Sequence, residues 1–115
     1  MLSTAHRLTD AESYRTVIRT GRRAGSGTLV LHLVEETASP GPRVGLVVSK
    51  AVGNAVVRNR VQRRLRHLAR EQLTSLPGSG ALVIRALPPA ADAGYAELRD
   101  DLVRCLQRVL PGRSA

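Results

Sequence analysis

The segment from Ala55 to Leu73 constrains this chain more than any other stretch. On a helical wheel at about 100° per residue, Val57, Val61, Leu65, Leu68 and Ala69 share one arc. Asn59, Arg60, Arg63, Arg64, Arg66, His67 and Arg70 occupy the opposite half. Arg58 falls on the apolar arc, but in the first turn, where a long side chain can reach past the edge of a core. A helix divided in this way packs on a sheet by one face and leaves the other open. A merely solvated face mixes charge signs at i, i+4 spacing. Here no acid precedes Glu71, so neighbouring arginines repel one another unless a polyanion relieves them.

The same asymmetry runs through the whole chain. The net charge is +9, and residues 37–70 carry Arg43, Lys50, Arg58, Arg60, Arg63, Arg64, Arg66 and Arg70 with no acid. The segments on either side nearly balance. A block of this kind points to a phosphate-bearing partner, nucleic acid first and an anionic membrane surface second. No apolar run approaches the ~20 residues of a membrane span, and the first residues lack the apolar stretch of a secretory signal. One cysteine, Cys105, excludes an internal disulfide and fits a reducing compartment, so a cytoplasmic location is expected. With no Trp, no Phe and two Tyr, the core must be aliphatic.

The remaining pattern describes a small α+β sandwich of order α-β-β-(β)-α-β-α over a single domain, residues 1–115, with frayed ends at 1–5 and 112–115. Thr9 is placed to cap a first helix, with Glu12 completing a capping box and Gly21 ending it. Leu29, Leu31 and Leu33 alternate along a strand from Thr28 to Glu36, and a further short strand is possible at Arg22–Ser26. Residues 37–42 read as a loop, Arg43–Ser49 as a second clear strand, and Asn54 as the cap of the arginine helix. A loop at Pro77–Gly80 precedes a strand at Ala81–Ala86. A last helix from about Asp92 carries Leu98, Leu102, Cys105, Leu106 and Val109 on one stripe. Cys105 on that stripe reads as core packing.

Gly53 and the N-terminal turn of the arginine helix could admit a phosphate, with Lys50 just upstream. Three His and one Cys make no recognisable metal site, and no nucleophile with base and orienting acid is visible. The acids lie outside the basic block, which gives a protein-borne two-metal nuclease little support.

The run from Val44 to Arg66, through Ser49-Lys50, Gly53-Asn54-Ala55-Val56 and Arg58-Asn59-Arg60, resembles the signature of the bacterial ribonuclease P protein component. The resemblance implies a ribosomal-protein-S5-domain-2-like fold with a left-handed crossover around the arginine helix, against the right-handed default. It implies a subunit that does not itself cut RNA. A catalytic RNA, using Mg2+, removes the 5′ leader from precursor tRNA, with no tightly bound cofactor on the protein and no obligate protein partner. It assigns Lys50, Gly53, Asn54, Arg58, Asn59, Arg60, Arg63, Arg64, Arg66 and Arg70 to RNA contact. Tyr14, Ile18 and His32 become candidates for a leader-binding cleft between the first helix and the sheet. Ile18 stands where a second aromatic is common and His32 where Tyr is common, while Gln62 and Ala51 replace lysines of the motif. Two other classes share the basic helix: a ribosome-associated or other structural RNA-binding protein, and a DNA-binding module. The Arg-saturated half-face suits phosphate rather than base edges, which counts against DNA readout.

Overall fold

The computed structural model describes residues 11–35, 42–72 and 80–110. Its elements are α1 (Ala11–Thr20), β1 (Arg22–Gly25), β2 (Leu29–Glu35), β3 (Arg43–Val47), α2 (Ala55–Glu71), β4 (Gly80–Ala86), a 3₁₀ turn (Pro88–Ala91) and α3 (Tyr95–Val109). The strands form one sheet in the order β1-β2-β4-β3. β1 and β2 make an antiparallel hairpin, and Leu29 N–H is held by the Ser26 hydroxyl at 3.1 Å. β2 and β4 are antiparallel, while β3 and β4 are parallel. A parallel pair needs a long crossover, and α2 supplies it.

The strand left open at Arg22–Ser26 is present and ends at Gly25, while β3 stops at Val47, short of Ser49. The last helix starts at Tyr95 rather than near Asp92. Pro88-Pro89 sets a 3₁₀ turn that Asp92 N–H closes on the Pro89 carbonyl at 3.2 Å, and Gly94 then stands at the cap. Gly21 ends α1 as expected, its N–H donating to the Val17 carbonyl at 2.8 Å. The Thr9 cap, the residue 37–41 part of the first loop, Leu73, residues 77–79 and both chain ends lie outside the described residues.

Strand alternation sends two different sets of side chains to the two faces. Leu29, Leu31 and Leu33 of β2, Leu82 and Ile84 of β4, and Val44 of β3 face the principal core. Val61, Leu65, Leu68 and Ala69 of α2 and Leu98, Leu102, Cys105, Leu106 and Val109 of α3 close it. This is the expected aliphatic sandwich, and both helical stripes fall on the predicted residues. The Cys105 thiol is fully buried, and burial raises its pKa, as befits packing rather than reactivity. Asp101 is buried on α3 and accepts a hydrogen bond from the Thr28 hydroxyl at 2.5 Å, which ties α3 to the β1–β2 turn. α1 crosses the opposite face of the sheet, where Val17 packs on Ala81 and Val83. The molecule therefore presents two distinct surfaces, the outward half of α2 and the α1 side of the sheet.

Candidate nucleic-acid interface

α2 is capped as its sequence implies. The Asn54 carboxamide oxygen accepts from Val57 N–H at 3.0 Å, which commits it to the helix and leaves only its NH2 for a ligand. Gly53 is required by close approach: a Cβ there would lie 2.9 Å from Val57 Cγ1. The first turn of α2 contains no acid, whereas α1 has Glu12 and α3 has Glu97 in theirs. The positive end of the helix dipole is thus left uncompensated and is followed by arginines.

Asn59, Arg60, Arg63 and Arg70 are exposed, Arg64 and Arg66 are partly so, and Lys50 is exposed in the turn ahead of the helix. Asn59, Gln62, Arg63, Arg66 and His67 line one open depression along the face. Arg58 is half-buried with its Nε enclosed and without a hydrogen-bond partner, at the core edge where its place on the apolar arc put it. Arg60 and Arg64 differ from the rest. Arg60 Nη2 donates to the Ala91 carbonyl at 3.0 Å, and Arg64 Nη1 donates to the Ala93 carbonyl at 3.1 Å. Each uses one of five N–H donors in this way and holds the remainder in a fixed orientation. The one acid within α2, Glu71, lies 3.8 Å from His67 Nε2. A face of arginines with no acid paired to it among the described residues, partly fixed in place, is suited to a run of phosphates.

On the other side of the sheet, the three cleft candidates share one surface. Tyr14 and Ile18 pack beside Val17, Val34 and Val47 around Val83. The Tyr14 hydroxyl accepts from Leu46 N–H at 3.2 Å. Its ring lies against Gly45, where a Cβ would sit 2.5 Å from the ring carbons. Burial raises the Tyr14 pKa, with the Leu46 hydrogen bond acting the other way. His32 is 3% exposed. Its Nε2 lies 3.5 Å from Arg85 Nη1, and its Nδ1 is enclosed without a partner. Burial lowers the His32 pKa, and the charges of Arg85 and Arg23 lower it further, so the ring is neutral at neutral pH.

Arg23 and Arg85 were not singled out in the sequence. They belong to strands far apart in the chain, and only the pairing of Arg23 with His32 and of Arg85 with Val30 brings them onto one face. The available signal was alternation, because Arg85 lies out of phase with Leu82 and Ile84 on the core face. Among the described residues no group of three His, Cys, Asp or Glu is placed to hold a metal. None of their helices is long and apolar enough to cross a membrane.

Comparison with known proteins agrees with this geometry. The profile of the family described as Ribonuclease P matches residues 2–110. A ribonuclease P protein component from Nocardioides sp. is 66% identical over 111 residues, covering 95% of each chain. One from Streptomyces griseus is 51% identical over 120 residues, covering 97% of this chain and 98% of the relative. The fold resembles the RNase P protein of Staphylococcus aureus, with TM-score 0.80 at 22% identity, over 90% of this chain and 94% of that one. The protein of Thermotoga maritima gives 0.78 at 19% identity, over 90% and 97%. From the arginine helix, the sheet order and these matches together, the chain belongs to the ribonuclease P protein component family.

Proposed function

We propose that this chain is the RNA-binding subunit of a ribonucleoprotein endonuclease that removes the 5′ leader of precursor tRNA. The outward half of α2 docks on the catalytic RNA, with Arg63 and Arg66 free to meet phosphates and Arg60 and Arg64 held in place. The α1 side of the sheet takes the single-stranded leader on Tyr14 and Ile18 and the flanking Arg23 and Arg85, while His32, 3% exposed, lies beneath that surface rather than on it. The observation that carries this reading is the acid-free face of α2 through Arg70. Because the two surfaces lie on opposite sides of the sheet, one molecule can engage two RNA segments together.

Hydrolysis belongs, on this reading, to the RNA and its Mg2+ ions. The chain contributes binding and orientation rather than bond cleavage. A partly aliphatic cleft with Ile18 beside Tyr14 grips the leader more by charge than by stacking. The protein works in the cytoplasm, with RNA rather than a membrane as its partner.

The test is the affinity of the assembled RNA–protein complex for precursor tRNAs whose leaders are shortened stepwise. The reading predicts that affinity falls as the leader is trimmed, and that it falls less without the protein. Leader-independent affinity with tight RNA binding retained would favour a structural RNA-binding protein without a processing role.

A further inference from the structure

Among the described residues only two large apolar or aromatic side chains are exposed, Val56 and Tyr95. Tyr95 is the first residue of α3 and stands opposite the C-terminal end of α2. Its hydroxyl donates to Glu71 Oε1 at 3.4 Å, and the other carboxylate oxygen lies 3.8 Å from His67 Nε2. The His67 and Tyr95 rings are 6.0 Å apart between centroids and inclined at 51°. Arg60 and Arg64 fasten the turn leading into Tyr95 by their bonds to the Ala91 and Ala93 carbonyls. Arg60, Arg63, Arg64, His67 and Tyr95 together line a groove of about 490 Å3.

The core of this protein is aliphatic, so the Tyr95 ring is not needed to fill it. The ring is held in the open by a carboxylate and a braced turn, with three guanidinium groups around it. Arginines alone would serve a duplex backbone. An aromatic face adds a stacking platform for a base that is free to leave its own stack.

We propose that the groove between the C-terminal half of α2 and the start of α3 binds one unpaired nucleotide of RNA. The base stacks on Tyr95 beside His67, and Arg63 takes its phosphate. Glu71 acts as the positioning residue for both rings. This inference rests on the reading that α2 docks on RNA, and it adds a preference for unpaired RNA that arginines alone do not supply.

The full-length protein and its cognate catalytic RNA are used for the first experiment, with binding measured over a range of salt. Tyr95→Ala is expected to weaken binding about ten- to a hundredfold with the salt slope unchanged, because stacking but no charge is lost. Tyr95→Phe is expected to bind as the parent does, and Tyr95→Leu as Tyr95→Ala does. An unaltered urea midpoint shows that the exposed substitution leaves the fold intact. If the parent itself shows no salt-dependent binding, the RNA reading fails. If the parent binds and Tyr95→Ala binds equally well, only the stacking site is overturned.

A second experiment uses fluorescence. The chain has no Trp and two Tyr, so in a Tyr14→Phe variant Tyr95 alone emits. A single-stranded oligoadenylate is expected to quench this emission, and an RNA duplex of equal length to leave most of it. Equal quenching by the duplex, or quenching by polyglutamate and not by RNA, overturns the proposal.

Discussion

Gly45 is the position at which packing of α1 against the sheet can be measured. It lies in β3 under the Tyr14 ring, and a Cβ built there would fall 2.5 Å from two ring carbons and 2.6 Å from the hydroxyl. Gly45→Ala must therefore push the ring off the strand and break its hydrogen bond from Leu46 N–H. Overpacking costs about 1–3 kcal/mol, and the lost hydrogen bond about 1 kcal/mol, part of it within the same displacement. The expected destabilisation is about 2 kcal/mol. In a Tyr14→Ala background the obstacle is gone, and replacing a strand glycine by alanine is worth roughly 0.5–1 kcal/mol of stability. The sign of the Gly45 substitution should then reverse, giving a coupling energy of about 2–3 kcal/mol, within the range for residues in contact. Urea unfolding of the four proteins, followed by far-UV circular dichroism, measures it. An equal cost of Gly45→Ala in both backgrounds would refute the contact.

The arginines of α2 should separate by what holds them. Arg63→Ala is expected to flatten the salt dependence of RNA binding by up to about one unit of slope with stability unchanged. Arg64→Ala should do the same and also lower the unfolding free energy measured in urea by about 0.5–1 kcal/mol, through loss of the Ala93 carbonyl contact. A slope unchanged in both would mean solvated arginines. The folded pKa of His32 lies below its unfolded value of 6.5, so between the two the unfolded chain binds more protons. Stability is therefore full above about pH 6.5 and declines as pH falls toward the folded pKa. His32→Gln should lose less stability than the parent on acidification, and parallel pH profiles would contradict this. Thr28→Val leaves the buried Asp101 carboxylate without its hydroxyl donor and should cost about 1–3 kcal/mol in urea unfolding. A neutral result would show that the Arg104 guanidinium, 3.9 Å from the other oxygen, or water replaces the hydroxyl.

What was legible in the sequence depended on how local its cause was. α2 could be read almost to the residue, because its period, its Asn54 cap and its apolar arc all lie within one segment. The alternation of β2 likewise announced which leucines enter the core. β1 was only a possibility because four residues with two arginines do not alternate convincingly, and it is pairing with β2 that makes them a strand. The start of α3 was misplaced by three residues because a proline pair supports a 3₁₀ turn as readily as a helix entry. The α2 face of the candidate site was visible as composition. The His32 surroundings were not, since Arg23 and Arg85 reach it from two other strands. Nor were the bonds of Arg60 and Arg64, whose acceptors lie about thirty residues away in sequence. Contacts made by register or by tertiary approach leave no mark in a local pattern.

The central claim is that this chain assists a catalytic RNA in maturing tRNA. Cleavage of precursor tRNA by the cognate RNA at low Mg2+, with and without the protein, tests it most directly. The account predicts strong protein-dependent stimulation, no cleavage by protein alone, and a loss of stimulation when Arg63 and Arg66 are both replaced by alanine. Unchanged cleavage on adding a protein that binds the RNA tightly would contradict it.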